Sequence, residues 1–556
     1  MPKRVQELMN KILKFFVIPL ILSFVHPITA NASAQDLPKD EGWVAPDWPL
    51  KGYLNVTFQD KVRGVGSPFL IQDEKVCSSL SDPRCADTNK AYEYFTRLGP
   101  CENLGDIDCI EEVIADIDSK TISGKFIEFF PSKNKTTYQE NRELFLPKAK
   151  SGSIWEFPTL FNSAGEEYFV NVSLGGIKAN ESKEFEPKSL AISISGVEAI
   201  SIKNRFSSDG LADDGSSYVL ETQRDDGSKT LGAIGIYGPY EDEPVNCVMS
   251  GDGKCLNRKA LPNGVGFQIT LRLSKSPSGW FHGRIKDPSI GLKSIPDRTG
   301  YKLIISGKSL QVPAVGFSTP WTDLTKEFQD NYLNGGFGSW LGCRWCSTNP
   351  LEATTTSNPP PSGNGAIDEL VAWLPKLSDK SSADINTWSI RTLDSNEMNG
   401  ADKCFTKKSQ LNGVVTSNST VYSAGPPRYD GSSLNYQVAA PHLMSNGAVT
   451  KGIYTLLIRS DVARCVYGFT AAPIKASISV INDGGINSLA TTTVLEKNDW
   501  LKLSAFNFTF SAPVIKINLS QSKNQKYTIT CSNTKSVKKF TGTKPKCPKG
   551  FKLKTN

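Results

Sequence analysis

The sequence predicts a mainly β protein: two antiparallel β-sandwich-like domains, a small α+β region ahead of them and a short helical connector between them. Three observations carry this. Apolar and polar residues alternate over several runs, the period of a strand with one buried and one wet face. Turn-forming clusters separate the runs. Gly and Pro are frequent, 45 and 33 of 556 residues, which suits many short strands. At roughly 100–200 residues per domain the length asks for about three domains. A hydrophobic content of 38% with 10% aromatics is enough for packed cores.

Residues 1–34 read as a secretory signal peptide. Lys3, Arg4, Lys11 and Lys14 precede the apolar run 15–25, and Ala32-Ser33-Ala34 supplies a small-residue site for cleavage after Ala34. The run contains Pro19 and is shorter than the roughly 20 residues of a membrane span. An uncleaved N-terminal membrane anchor is the alternative.

Residues 35–150 form the small α+β region. A strand is expected at 53–58 and another at 125–130. Helices are expected at 88–98 and at 107–118, where Ile107, Ile110, Val113, Ile114 and Ile117 recur at three- and four-residue steps. Residues 151–320 form the first sandwich, with strands at 168–174, 191–202, 218–222, 267–273 and 301–305. Phe267, Ile269, Leu271 and Leu273 against Gln268, Thr270 and Arg272 give its cleanest alternation. Residues 321–380 break the pattern with helices at 322–333 and 367–377 around a proline-rich linker. Residues 381–521 form the second sandwich, whose strands are marked by Ile474, Ala476, Ile478 and Val480, by Leu501 to Phe510, and by Ile515, Ile517 and Leu519. Residues 522–556 are a basic tail with ten Lys and no acid. The whole chain carries +7, so the remainder carries −3 and the basicity belongs to the tail.

All twelve cysteines follow the signal segment: Cys77, Cys85, Cys101, Cys109, Cys247, Cys255, Cys343, Cys346, Cys404, Cys465, Cys531 and Cys547. An even set in an exported chain implies disulfides. Cys77/Cys85, Cys101/Cys109 and Cys247/Cys255 share one spacing across polar turns and are expected as local bridges. Cys77–Cys109 with Cys85–Cys101 is the alternative pairing. Cys531 and Cys547 can close the tail into a stapled hairpin. Cys343-Arg-Trp-Cys346 lacks the helix start that redox chemistry wants and the second pair that zinc wants, so it reads as structural.

Catalytic signals are sparse. Two histidines, His282 and His442, follow the signal segment, which argues against hydrolase triads and catalytic zinc. His282 lies in Trp280-Phe281-His282-Gly283-Arg284, a cluster that reads either as a sugar-stacking surface or as a strand with an aromatic packed inward. Acid pairs (Asp213/Asp214, Asp225/Asp226, Glu166/Glu167) sit in or beside glycine turns, where carboxylates are solvated. Calcium at Asp209, Asp213 and Asp214 lacks the usual alternation of ligands. Arg459 to Arg464 interrupts an apolar run, as a turn between strands or a buried pair. Nucleotide-binding glycine loops and HExxH are absent from the sequence, and the tail lysines lack aromatic interleaving. No catalytic residue, cofactor, metal or nucleic-acid partner is expected.

The segments "YTLLIRSDVARCVYGF" (454–469) and "YTITCSNTKSVKKFTGTKPKCPKGF" (527–551), with the loop from Pro100-Cys101 to Cys109-Ile110-Glu111, resemble segments of secreted actinobacterial proteins that have no assigned activity. The match covers about a fifth of the chain. It implies an exported, surface-associated protein and transfers no catalytic residue. With Lys535, Lys538, Lys539, Lys544, Lys546, Lys549, Lys552 and Lys554 as an electrostatic anchor, the sequence is read as a secreted or cell-surface, non-enzymatic protein. Its expected partners are anionic wall polymer or lipid headgroups and carbohydrate. The alternative is a secreted polysaccharide hydrolase working through carboxylates the sequence does not reveal.

Overall fold

The computed structural model describes residues 57–553 except for 62–74, 82–90, 202–218, 234–246, 334–353, 357–364 and some shorter stretches. The signal segment, residues 53–56 of the strand expected at 53–58 and the Cys343/Cys346 pair lie outside the described residues, and 57–58 open the strand Thr57–Lys61.

One continuous sheet runs through the molecule. Glu167–Lys178 and Glu186–Ser201 form a long antiparallel hairpin. The outer edge of the first is shared by Ala91–Arg97 and Gly152–Glu156. Glu186–Ser201 pairs in turn with Ala383–Thr392, and that strand pairs with residues 281–284 of Gly279–Ser294. Gly279–Ser294 then runs parallel to Leu411–Ser417. Antiparallel pairing continues through Lys451–Arg459, Trp500–Thr509 and Thr491–Lys497. The backbone ladder therefore crosses the division expected between residues 320 and 381.

Two further layers of strands pack against it on opposite faces, the first joined to it where Tyr301–Ala314 pairs with Gly279–Ser294 and Ala383–Thr392, the second a separate sheet. Phe281, Ile390, Ile192, Val172 and Val414 share a face. They meet Val113, Phe267, Ile269, Leu303 and Ile305 from a sheet made by Cys109–Ile117, Gly266–Leu273 and Tyr301–Ala314. Trp280, Val415, Leu456 and Leu503 point the other way. They meet Tyr436, Val480, Ile515 and Ile517 from a sheet made by Leu434–Ala439, Val514–Gln521 and Ile474–Ile481. Each face carries its own apolar cluster, as expected of stacked sheets.

The helices expected at 88–98 and 107–118 are strands, Ala91–Arg97 and Cys109–Ile117. The second error has a defined cause. Ile110 pairs with Leu271 and Glu112 with Thr270, so Glu111 is the extra residue of a β-bulge. The bulge puts Ile110 and Val113, three apart, on the same buried face and imitates helical spacing. In the first, Tyr94 and Leu98 are buried four apart, but the free edge of Glu167–Lys178 supplies a ladder that Tyr, Phe and Thr side chains suit.

The connector holds the helices Lys326–Leu333 and Ala366–Trp373, the latter continuing as the 3-10 turn Leu374–Leu377. Ala366, Ile367 and Leu370 bury against Val315, Val421 and Ala439. The charges at 459–464 do not mark a turn between strands. Ser460–Tyr467 is a helix, and the Cys404–Cys465 disulfide ties it to the 3-10 turn Lys403–Phe405.

Two predictions concern this packing. A Cβ at Gly413 would overlap the indole of Trp280, which is buried against Phe405. Gly413→Ala should destabilise the protein by about 1–3 kcal/mol, read as a lower urea midpoint. Cys404 and Cys465 lie 61 residues apart. Chain entropy then assigns their bridge about 4 kcal/mol, and Cys404→Ser with Cys465→Ser should lower the same midpoint correspondingly.

Candidate functional site

Two places could meet a partner: the lysine tail and a cavity above the second core. In the tail, Tyr527–Ser532 is the central strand, flanked by Val537–Gly542 and Lys552–Leu553. Cys531 is buried and bridged to Cys547, which closes the module as the spacing suggested. Lys538, Lys539, Lys546, Lys549 and Lys552 are exposed. Lys535, Lys544 and Lys554 lie outside the described residues. The Lys538 ammonium stands 5.7 Å from the Phe551 ring, which packs edge-on against Phe540. Residues 522–556 contain no acid to offset these charges.

Of the other cysteines, Cys101 and Cys109 form the expected local bridge, which overturns the alternative Cys77–Cys109 with Cys85–Cys101. Cys77 and Cys85 lie outside the described residues. The backbone strands bearing Cys247 and Cys255 pair side by side, Met249 opposite Cys255.

The Trp280–Arg284 segment is an interior strand. His282 is 2% exposed and stacks on Tyr422, ring centroids 3.6 Å apart and planes within 11°. Arg284 donates to the carbonyls of Ser417 (2.9 Å), Ser419 and Thr420, and its guanidinium lies 5.1 Å from the Tyr422 ring. Opposite His282 on the neighbouring strand is Arg391. Its guanidinium grips Glu397 through two 2.7 Å hydrogen bonds and donates to the Tyr422 hydroxyl at 3.1 Å. Such a bidentate, planar pair is among the strongest side-chain contacts. Glu397 also accepts from the Asp394 N–H at 3.0 Å.

Glu397 forms part of the wall of a cavity of about 290 Å³ between the loops 397–402 and 424–429. Asn399, Asp402, Pro426, Pro427, Arg428 and Tyr429 line it as well. Gly425 lets the loops meet, since its φ is +83° and a side chain there would strike the Glu397 carbonyl. Asp402 accepts from the Cys404 N–H at 2.7 Å and Tyr429 donates to the Gly431 carbonyl. Among the described residues, neither the Arg428 guanidinium nor the Asn399 side-chain amide makes a hydrogen bond or ion pair, although the Asn399 backbone N–H donates to the Asn396 carbonyl. A narrower cleft, about 40 Å³, lies beside Tyr94, Asp108 and Ser274. There burial pushes the Asp108 carboxyl up although it accepts from the Ser274 N–H.

The remaining sequence candidates do not converge. Glu166 accepts from the Thr159 N–H, and the acids at 209, 213, 214, 225 and 226 lie outside the described residues. His442 lies in a loop, its N–H bonded to Asp379. Among the described residues no three His, Cys, Asp or Glu side chains gather as metal ligands, and no helix is long and apolar enough to cross a membrane. Arg391, Glu397, Asn399 and Arg428 were missed because the cavity joins loops with no local motif. Comparison with protein-family models, curated proteins and solved structures finds no match.

Burial, with Arg284 and Arg391 beside it, holds the His282 pKa well below its ordinary value. The unfolded chain takes up this proton near pH 6.5 and the folded chain does not, so stability is lost as pH falls below that value. The slope should approach about 1.4 kcal/mol per pH unit. His282→Phe keeps a ring against Tyr422 and should flatten that loss by about one proton, measured as urea midpoints at about pH 7.5 and 5.5.

Proposed function

We propose that this is a secreted, envelope-associated, non-enzymatic protein that binds carbohydrate or other surface material and is held in place by its cationic C-terminal module. The observation that carries the reading is the cluster of five exposed lysines on a disulfide-closed fold whose sequence has no acid. Near an anionic surface each lysine is worth about 1 kcal/mol, and screening within about 8 Å at physiological salt makes the attachment reversible. The bridges of Cys101–Cys109, Cys404–Cys465 and Cys531–Cys547 suit an oxidising compartment.

The cavity favours binding over hydrolysis. Glu397 and Asp402 both line it, yet Glu397 is committed to Arg391 and the Asp394 N–H, and Asp402 to the Cys404 N–H. Glycoside hydrolysis asks for one carboxyl free to give a proton and another free to attack or to activate water. Here Glu397 is bound up with Arg391, which leaves Asp402 without the second free carboxyl that the reaction needs.

Fractionation of the native cells tests the anchor. The parent protein should stay with the envelope and leave it in a high-salt wash. Lys538→Glu, Lys539→Glu and Lys552→Glu together should shift it to the medium. Unchanged retention of the triple variant sinks the reading.

A further inference from the structure

From the cavity between loops 397–402 and 424–429 we infer a binding site for a neutral saccharide unit. The inference rests on the carbohydrate-binding reading above and assigns it a place and a ligand class.

The floor is rigid before any ligand arrives. Glu397 is fixed by Arg391, Arg391 by Tyr422, and Tyr422 by the stacked ring of His282 in the core. A wall locked by packing and hydrogen bonds beneath it gives a ligand low ordering cost. The volume of about 290 Å³ lies at the small end of ligand sites. It suits one sugar unit of a chain whose ends run out into solvent.

The lining chemistry selects the class. Arg428 and Asn399 bring uncommitted donors, and Asn399 and Asp402 bring acceptor oxygens. Hydroxyl groups, each donor and acceptor at once, match that mixture. Tyr429, half-buried, provides apolar surface for the C–H face of a sugar ring. Charge argues for neutrality: Glu397 is paired with Arg391, and the other charged side chains of the lining, Arg428 and Asp402, contribute one charge of each sign.

Isothermal titration calorimetry on the full chain tests this with maltohexaose, xylohexaose, chitohexaose and an oligogalacturonate of equal length. At least one neutral hexasaccharide should saturate a single site. Arg428→Ala should weaken it tenfold or more, and Asn399→Trp, which fills the cavity from an exposed loop, should abolish it. The triple lysine variant should bind it like the parent. No saturable heat from any neutral sugar, binding of the oligogalacturonate alone, or parent-like affinity in both cavity variants overturns the assignment. Saccharide binding by a chain found free in the medium would sink the anchor and leave the cavity standing. Envelope retention without saccharide binding would do the reverse.

Discussion

Alternation along one strand, Gly279–Ser294, joins the two halves of the molecule. Because successive side chains point to opposite faces, Phe281 enters one core while Trp280, His282 and Arg284 enter the other. The same strand pairs with Ala383–Thr392 on one edge and Leu411–Ser417 on the other. A slip of one residue would exchange its two faces, placing His282 and Arg284 in the first core and Phe281 in the second. Its register is therefore set from both sides, and the cavity loops inherit their position from it through Arg391.

Buried charge makes this arrangement selective. Taking a guanidinium out of water is costly unless its hydrogen bonds are replaced. Arg284 replaces them with the carbonyls of Ser417, Ser419 and Thr420, and Arg391 with a glutamate and a tyrosine. Arg97, in the other half, donates to Asn171 at 2.9 Å, and burial brings its pKa down to about 9. These contacts specify which loop lies over which strand, something apolar packing alone leaves loose. Among the described residues, His282 Nε2 and the hydroxyls of Tyr436 and Tyr454 are buried with no hydrogen-bond partner, so the second core keeps polar capacity in its interior.

The tail is built on different physics. It is a three-stranded module with one disulfide, and most of its described lysines face solvent. Its field depends on composition rather than on packing. The cavity depends on Å-scale placement of loops more than a hundred residues from the strand that supports them.

Much of the fold was legible in the sequence because strand alternation is a local signal. Runs such as 267–273, 474–480 and 515–519 announce their strands whatever they pair with, and the ten lysines and the Cys531/Cys547 spacing declare the tail directly. Where local spacing was distorted the reading failed, as the bulge at Glu111 turned a strand into an apparent helix. Pairing was not legible at all. Nothing near residue 391 shows that it will lie opposite His282, and nothing near Asn399 points to Arg428. The sequence by itself determined the mainly β class, the charged tail and the periodicity of most strands, since each follows from neighbours along the chain. Only the tertiary structure decided that one sheet would serve two cores on opposite faces and that a cavity would open over their polar seam, because both depend on hydrogen bonds between strands far apart in sequence.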